Sequence, residues 1–406
     1  MFELDVRKLW LAWRAPICAL MAAAAIGGCG GGGISAGVDT GGTGGEMPTY
    51  SYGPIDGFGS IIVNGVRFDD TSATVLDDEG ATHSRSELKL GMVVAVDAGP
   101  IRTDASGART STATKVQMGT EITGPVQAVD VAAGTLTVIG QTVSVGAQTV
   151  FDGLPNGLAG VQAGQLVEIH AIFDATLNRH AATRVERKGN LAAFKLRGRI
   201  ANLNLVAKTF TIGTATIGFA TVPAAQLPAL SNGLLVRATL LAAQQGGIWI
   251  ATKLSTDVRN IADGTEAEIE GFVTDFVSLA SFKINGIAID ASGSSVTFEN
   301  GTAAQIANGV HLEVAGEAHG GVVVARKVEF EDDDEADKFE LSGAIESIDA
   351  TAHTFVLHGV TVAYDGSTRF DGGTASMLAV GAQVEVSGKL SKSGTQVLAT
   401  RIEFKS

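Results

Sequence analysis

One pattern of glycines and short apolar runs recurs five times along this chain, and that repetition limits what it can fold into. Three landmarks fix the register. An early glycine opens four of the units, at Gly124, Gly198, Gly271 and Gly343. A second glycine precedes an alternating run at Gly91, Gly164, Gly233, Gly309 and Gly381. A basic–apolar pair closes each unit at Lys115-Val116, Arg184-Val185, Lys253-Leu254, Lys327-Val328 and Arg401-Ile402. Successive landmarks lie 69 to 76 residues apart, which is enough chain for a unit to bury its own interior, unlike a solenoid repeat.

Within a unit the pattern is that of strands. Val384 and Val386 alternate with Gln383, Glu385 and Ser387, which puts one face inward and one outward. Val, Ile, Thr and Phe fill the patterned segments and few windows show helical periodicity, so the class is all-β. About 70 residues are too few for two large packed sheets, whereas a small barrel buries one face and leaves no open edge. The expected fold is a tandem array of five small five- to six-stranded barrels, OB-like. A small open sandwich is the alternative, because periodicity does not fix topology. The predicted domains are 54–119 (the most divergent), 120–188, 192–256, 265–330 and 338–406, with an acidic linker at 331–337. Short linkers predict an elongated string of separately cored units.

The elements SGAIESID, HTFVLHG, GAQVEVSG and ATRIEF of the fifth unit, with their counterparts in the others, resemble bacterial exported proteins, often lipoproteins, with tandem copies of the domain of unknown function catalogued as 5666. The resemblance spans roughly residues 53–404 and is strongest in units two, four and five. It implies barrel-like domains and brings no activity and no catalytic residue. The first unit lacks the SGxI-like opening, and the third has Arg237 where others have a fourth-strand glutamate.

Upstream of the repeats, Arg7, Lys8 and Arg14 precede or border an uncharged stretch that ends at Cys29, the arrangement of an export signal. The stretch is shorter than the roughly 20 residues that span a bilayer. The segment IGGC at 26–29 resembles the lipobox of bacterial lipoproteins, which implies cleavage between Gly28 and Cys29 and acylation of the Cys29 thiol. Residues 1–28 then form the signal peptide, and 29–53 form the acylated cysteine and a flexible Gly-rich tether. Plain secretion and a retained anchor are the alternatives. The expected partner is membrane lipid through Cys29, and the expected location is the envelope, at the outer membrane facing periplasm or cell surface. With Cys18 and Cys29 both in or at the end of the signal, the repeats hold no thiol for catalysis or thiolate metal sites.

The net charge of -14 and the lack of a basic patch exclude a nucleic-acid footprint. No HExxH, GxSxG, P-loop or dinucleotide fingerprint is present, and no cofactor or metal site is expected. The fourth-strand column reads Ala95, Glu168, Arg237, Glu313 and Glu385, and is expected to face solvent or another unit. The seven histidines do not recur in register and are expected on surfaces and turns. Asp332, Asp333 and Asp334 lie in the acidic run, read as a solvated linker with weak cation binding as the alternative. Trp249 is the residue that would stack on a sugar, although its strand position suits core or rim packing. These features predict a lipid-anchored, non-enzymatic scaffold or interaction array with an envelope protein or glycan as partner. A polysaccharide- or small-ligand-binding protein is the alternative, and an envelope enzyme the third.

Overall fold

The computed structural model describes residues 47–256, 260–331 and 339–405. Gly28, Cys29 and the acidic residues Asp332, Asp333 and Asp334 lie outside the described residues.

The second repeat shows how one unit closes. Its first strand, Ile122–Asp130, is shared between two partners. The start runs antiparallel to the fourth strand, Leu166–Asp174, from Ile122↔Ile169 to Pro125↔Leu166. The end pairs with the second strand, Thr135–Val138, through Val129↔Leu136. A hairpin leads to the third strand, Gln141–Asp152, which lies parallel to the last, Arg179–Lys188. The last strand returns antiparallel to the fourth. The ring order is therefore 1-2-3-5-4-1, an OB-like barrel. The stretch from Ala193–Arg199 to Trp249–Thr256 runs through the same order of strands, with the short 3-10 turn Ala224–Gln226 before its fourth strand.

Two of the glycine landmarks have physical causes. Gly91, Gly164, Gly233, Gly309 and Gly381 have φ between +77° and +86°, a left-handed turn into the fourth strand that side chains disfavour. The early glycines lie beneath a side chain from the strand 2–3 hairpin. A Cβ on Gly124 would come within 2.4 Å of Ile139, and one on Gly198 within 2.3 Å of Ile212.

The elongated string expected from the linkers is not what forms. The first strand, Thr49–Pro54, lies between its own fourth strand, Val93–Ala98, and the first strand of the fourth repeat, Glu266–Ser278. The second contact is parallel, with Thr49↔Glu266 and Tyr52↔Ile269 in register. Gly57–Phe58 pairs in parallel with Phe339–Ala344 of the fifth repeat, and Thr123 pairs with Lys195 between the second and third. The start of Thr49–Pro54 has one edge not taken up within its own barrel, and such an edge is a ready template for another strand. Residues 49–53, assigned from composition to the tether, are thus buried strand, with Ser51 0% and Tyr52 1% exposed.

The apolar cores merge accordingly. Phe68 and Val96 of the first repeat share one cluster with Phe355 and Ile402 of the fifth. Ile169 and Phe210 share a second between the second and third repeats, while Tyr50, Tyr52 and Val93 complete the core of the fourth. Buried charge also fastens repeats together. Arg197 Nη1 donates to Glu121 Oε1 at 2.6 Å, and both side chains are 3% exposed. Asp78 of the first repeat accepts from Lys195 at 2.9 Å and lies 3.1 Å from Arg237 Nε of the third.

Two histidines depart from the expected surface positions. His170 and His180 are each 1% exposed on strands facing other repeats. His170 Nδ1 lies 2.6 Å from the Gly119 carbonyl oxygen. Burial pushes the His180 imidazole down to about 4, against the opposing pull of Glu121.

Candidate functional site

A cavity of about 440 Å³ opens where the first, fourth and fifth repeats meet, and Gln148 of the second also lines it. The closed barrels and shared strands bring carboxylates to it from three directions. Asp56 follows the shared strand Thr49–Pro54, Glu270 lies on Glu266–Ser278, and Glu313 lies opposite Glu270 on His311–His319. Glu329 lies opposite Glu313 on the last strand, Val322–Phe330, and Glu331 follows it. Carboxylate oxygens of Glu313, Glu329 and Glu331 all lie within 4.8 Å of one another.

The surroundings make this crowding costly. Burial, then Glu270, Glu331 and Glu329, push the Glu313 carboxyl up to about 8, with Lys327 opposing. Burial, then Glu270, push Glu331 up to about 7, and burial followed by Glu270, Glu313 and Glu331 raises Asp56 well above the carboxylate range. The two arginines of the cavity are committed elsewhere. Arg67 reaches Glu340 at 2.5 Å and Glu385 at 2.9 Å, and Arg109 pairs with Glu268. On the acidic side, Lys327 bridges Glu329 at 2.6 Å and Glu299 at 2.9 Å, and His311 Nε2 lies 3.1 Å from Glu270 Oε1.

The fourth-strand column, expected to face solvent or another unit, lies largely at contacts between repeats. Glu313 lines the junction cavity, and Glu385 meets Arg67 of the first repeat. Arg237, 8% exposed, faces Asp78. Periodicity put these side chains outside their own barrels, but the packing of other repeats covers them.

Trp249 is 5% exposed and packs edge-on against Phe194, with centroids 5.7 Å apart. So enclosed, its indole offers no open face to a sugar. Asp56, Asn64 and Glu270 belong to no motif in the sequence. Glu331 opens the acidic run, yet it stands two residues beyond a recurring glutamate, where the second and fifth repeats have lysine.

No curated protein matches the chain. Among solved structures, one titled "drosophila Unr CSD456" is 12% identical over 71% of this chain and 97% of that one, with a TM-score of 0.13, and at that score the likeness carries no argument. The family model described as "Domain of unknown function (DUF5666)" matches residues 52–117, 123–186, 270–329 and 342–403. The third repeat falls outside the match, and its Arg237 replaces the acidic residue of the second, fourth and fifth. With more than half of its length matched, in four tandem copies, the chain belongs to the DUF5666 family.

Proposed function

We propose that this chain is a lipid-anchored, non-enzymatic protein of the bacterial envelope that acts as a rigid scaffold or interaction array. The observation that supports the array reading is the sharing of strands between repeats, above all Thr49–Pro54 held between two barrels. A body joined in this way holds its outer faces in fixed relation, which a string of hinged beads does not. Anchoring rests on Cys29 at the end of the IGGC segment. The cavity of about 440 Å³ favours a second reading, a protein that binds a glycan or another small ligand at the junction.

Pull-down from solubilised envelopes separates the two readings. The scaffold reading predicts a defined protein partner retained by the acylated chain. Retention of glycan without protein favours the second reading, and no enrichment over the signal and tether alone contradicts both. Fatty-acid labelling tests the anchor, since a Cys29→Ser chain that still carried lipid would overturn it.

A further inference from the structure

We propose that the fourth repeat holds a hard divalent cation, of the calcium class, among Glu313, Glu329 and Glu331, where the second and fifth repeats hold a lysine ammonium. The comparison is internal to the chain. In the second repeat Glu168 pairs across the ladder with Glu186, and Lys188 follows two residues later. Its Nζ lies 2.7 Å from Glu168 Oε2 and 2.8 Å from Glu186 Oε1. In the fifth repeat Glu385 pairs with Glu403, and Lys405 Nζ lies 2.8 Å from a carboxylate oxygen of each. In the fourth repeat Glu313 pairs with Glu329, and the residue two positions on is Glu331.

The ladder therefore keeps its two glutamates and exchanges the cation between them for a third carboxylate. The first-strand neighbour changes in the same direction. Thr123 and Ser342 lie opposite the column glutamate in the second and fifth repeats, and Glu270 in the fourth. Lys327 does not fill the gap, because it corresponds to Arg184 and Arg401. Those pair with Asp152 and Asp371 as Lys327 pairs with Glu299, in addition to the recurring glutamate. The basic groups acting on Glu313 and Glu331 are Lys327 and His311, which pair with Glu329, Glu299 and Glu270.

A second observation points to a ligand at the same place. Asn64 lines the cavity and is 5% exposed, and its Nδ2 donates to Ser51 Oγ, Tyr52 O and Glu268 O. Among the described residues its buried Oδ1 has no hydrogen-bond partner. That oxygen lies on the acidic side. A Cβ on Gly53 would sit 2.3 Å from Asn64 Oδ1 and 3.2 Å from Glu270 Oε2, so both oxygens crowd the same side of Gly53. A cluster with more acceptors than donors is satisfied by a cation, and all-oxygen donors select a hard one. The size fits. The triad oxygens lie within 4.8 Å of one another, close enough for one cation to reach all three at calcium–oxygen bonds of roughly 2.4 Å.

The test is calorimetric titration of chelator-treated full-length protein in detergent with calcium, and in parallel with magnesium and manganese chlorides. The expected result is one calcium ion bound per chain. Glu331→Lys, which restores the lysine of the sister repeats, should weaken binding at least about 100-fold and raise the melting temperature of the metal-free protein. Glu313→Gln, nearly unchanged in volume, should also weaken binding and covers the case in which Glu331→Lys misfolds. The triple variant Asp332→Asn, Asp333→Asn, Asp334→Asn should bind as the parent does. The proposal is overturned if the parent binds none of the three cations, if Glu331→Lys or Glu313→Gln binds as the parent does, or if the triple variant alone loses binding.

Discussion

Burial and mutual repulsion hold Glu313 up to about 8 and Glu331 to about 7, against 4.5 for the free side chain. The native chain therefore binds more protons than the unfolded chain between these values. The stability that each carboxyl contributes is full below about 4.5 and is lost as pH rises through the folded value. The groups facing them are Asp56, Glu270, Glu329, His311 and Lys327. Buried His180 acts in the opposite sense, losing stability as pH falls from 6.5 towards about 4. The informative quantity is thus the difference between parent and Glu313→Gln. In chelator, the variant's advantage in melting temperature should grow from pH 5 to pH 8, and an advantage that shrinks over that range would contradict the assignment. The buried pair of Arg197 and Glu121 gives a second residue-level expectation. Arg197→Leu leaves a buried carboxylate without its main partner and should cost roughly 3–5 kcal/mol in urea unfolding, where a loss under 1 kcal/mol would show the pair to be dispensable.

At the scale of single elements, the strands within each barrel were legible and the strands between barrels were not. Gln383–Leu390 alternates in burial as its sequence alternates in polarity. Thr49–Pro54 does not, because both of its faces and both of its edges are covered, so every residue is buried whatever its polarity. A window of Thr, Tyr, Ser and Gly beside a Gly-rich stretch then reads as tether. Gly57 carries a related signal. A Cβ there would approach the Glu340 carbonyl oxygen to 2.2 Å, so only glycine allows the parallel contact with the fifth repeat. Gly57→Ala should lower the melting temperature and speed amide exchange at residues 339–341, by an overpacking cost of roughly 1–3 kcal/mol. Unchanged exchange at those amides would mean that this strand contact does not hold the two repeats together.

For the whole molecule, five copies of one pattern predicted five interiors, and the structure instead merges them into shared clusters. Sequence repetition reports what the copies have in common, and their mutual packing depends on where they differ. Asp78 meets Lys195 and Arg237 because the third repeat is basic where its sisters are acidic. The acidic junction exists because Glu331 and Glu270 depart from the sister pattern, so a comparison column by column would have found it. The most direct test of this packing is small-angle X-ray scattering from residues 45–406 in solution. A single packed body of this length should have a radius of gyration of about 21 Å. A value of about 40 Å, that of five barrels of this size laid end to end, would contradict the shared-strand architecture.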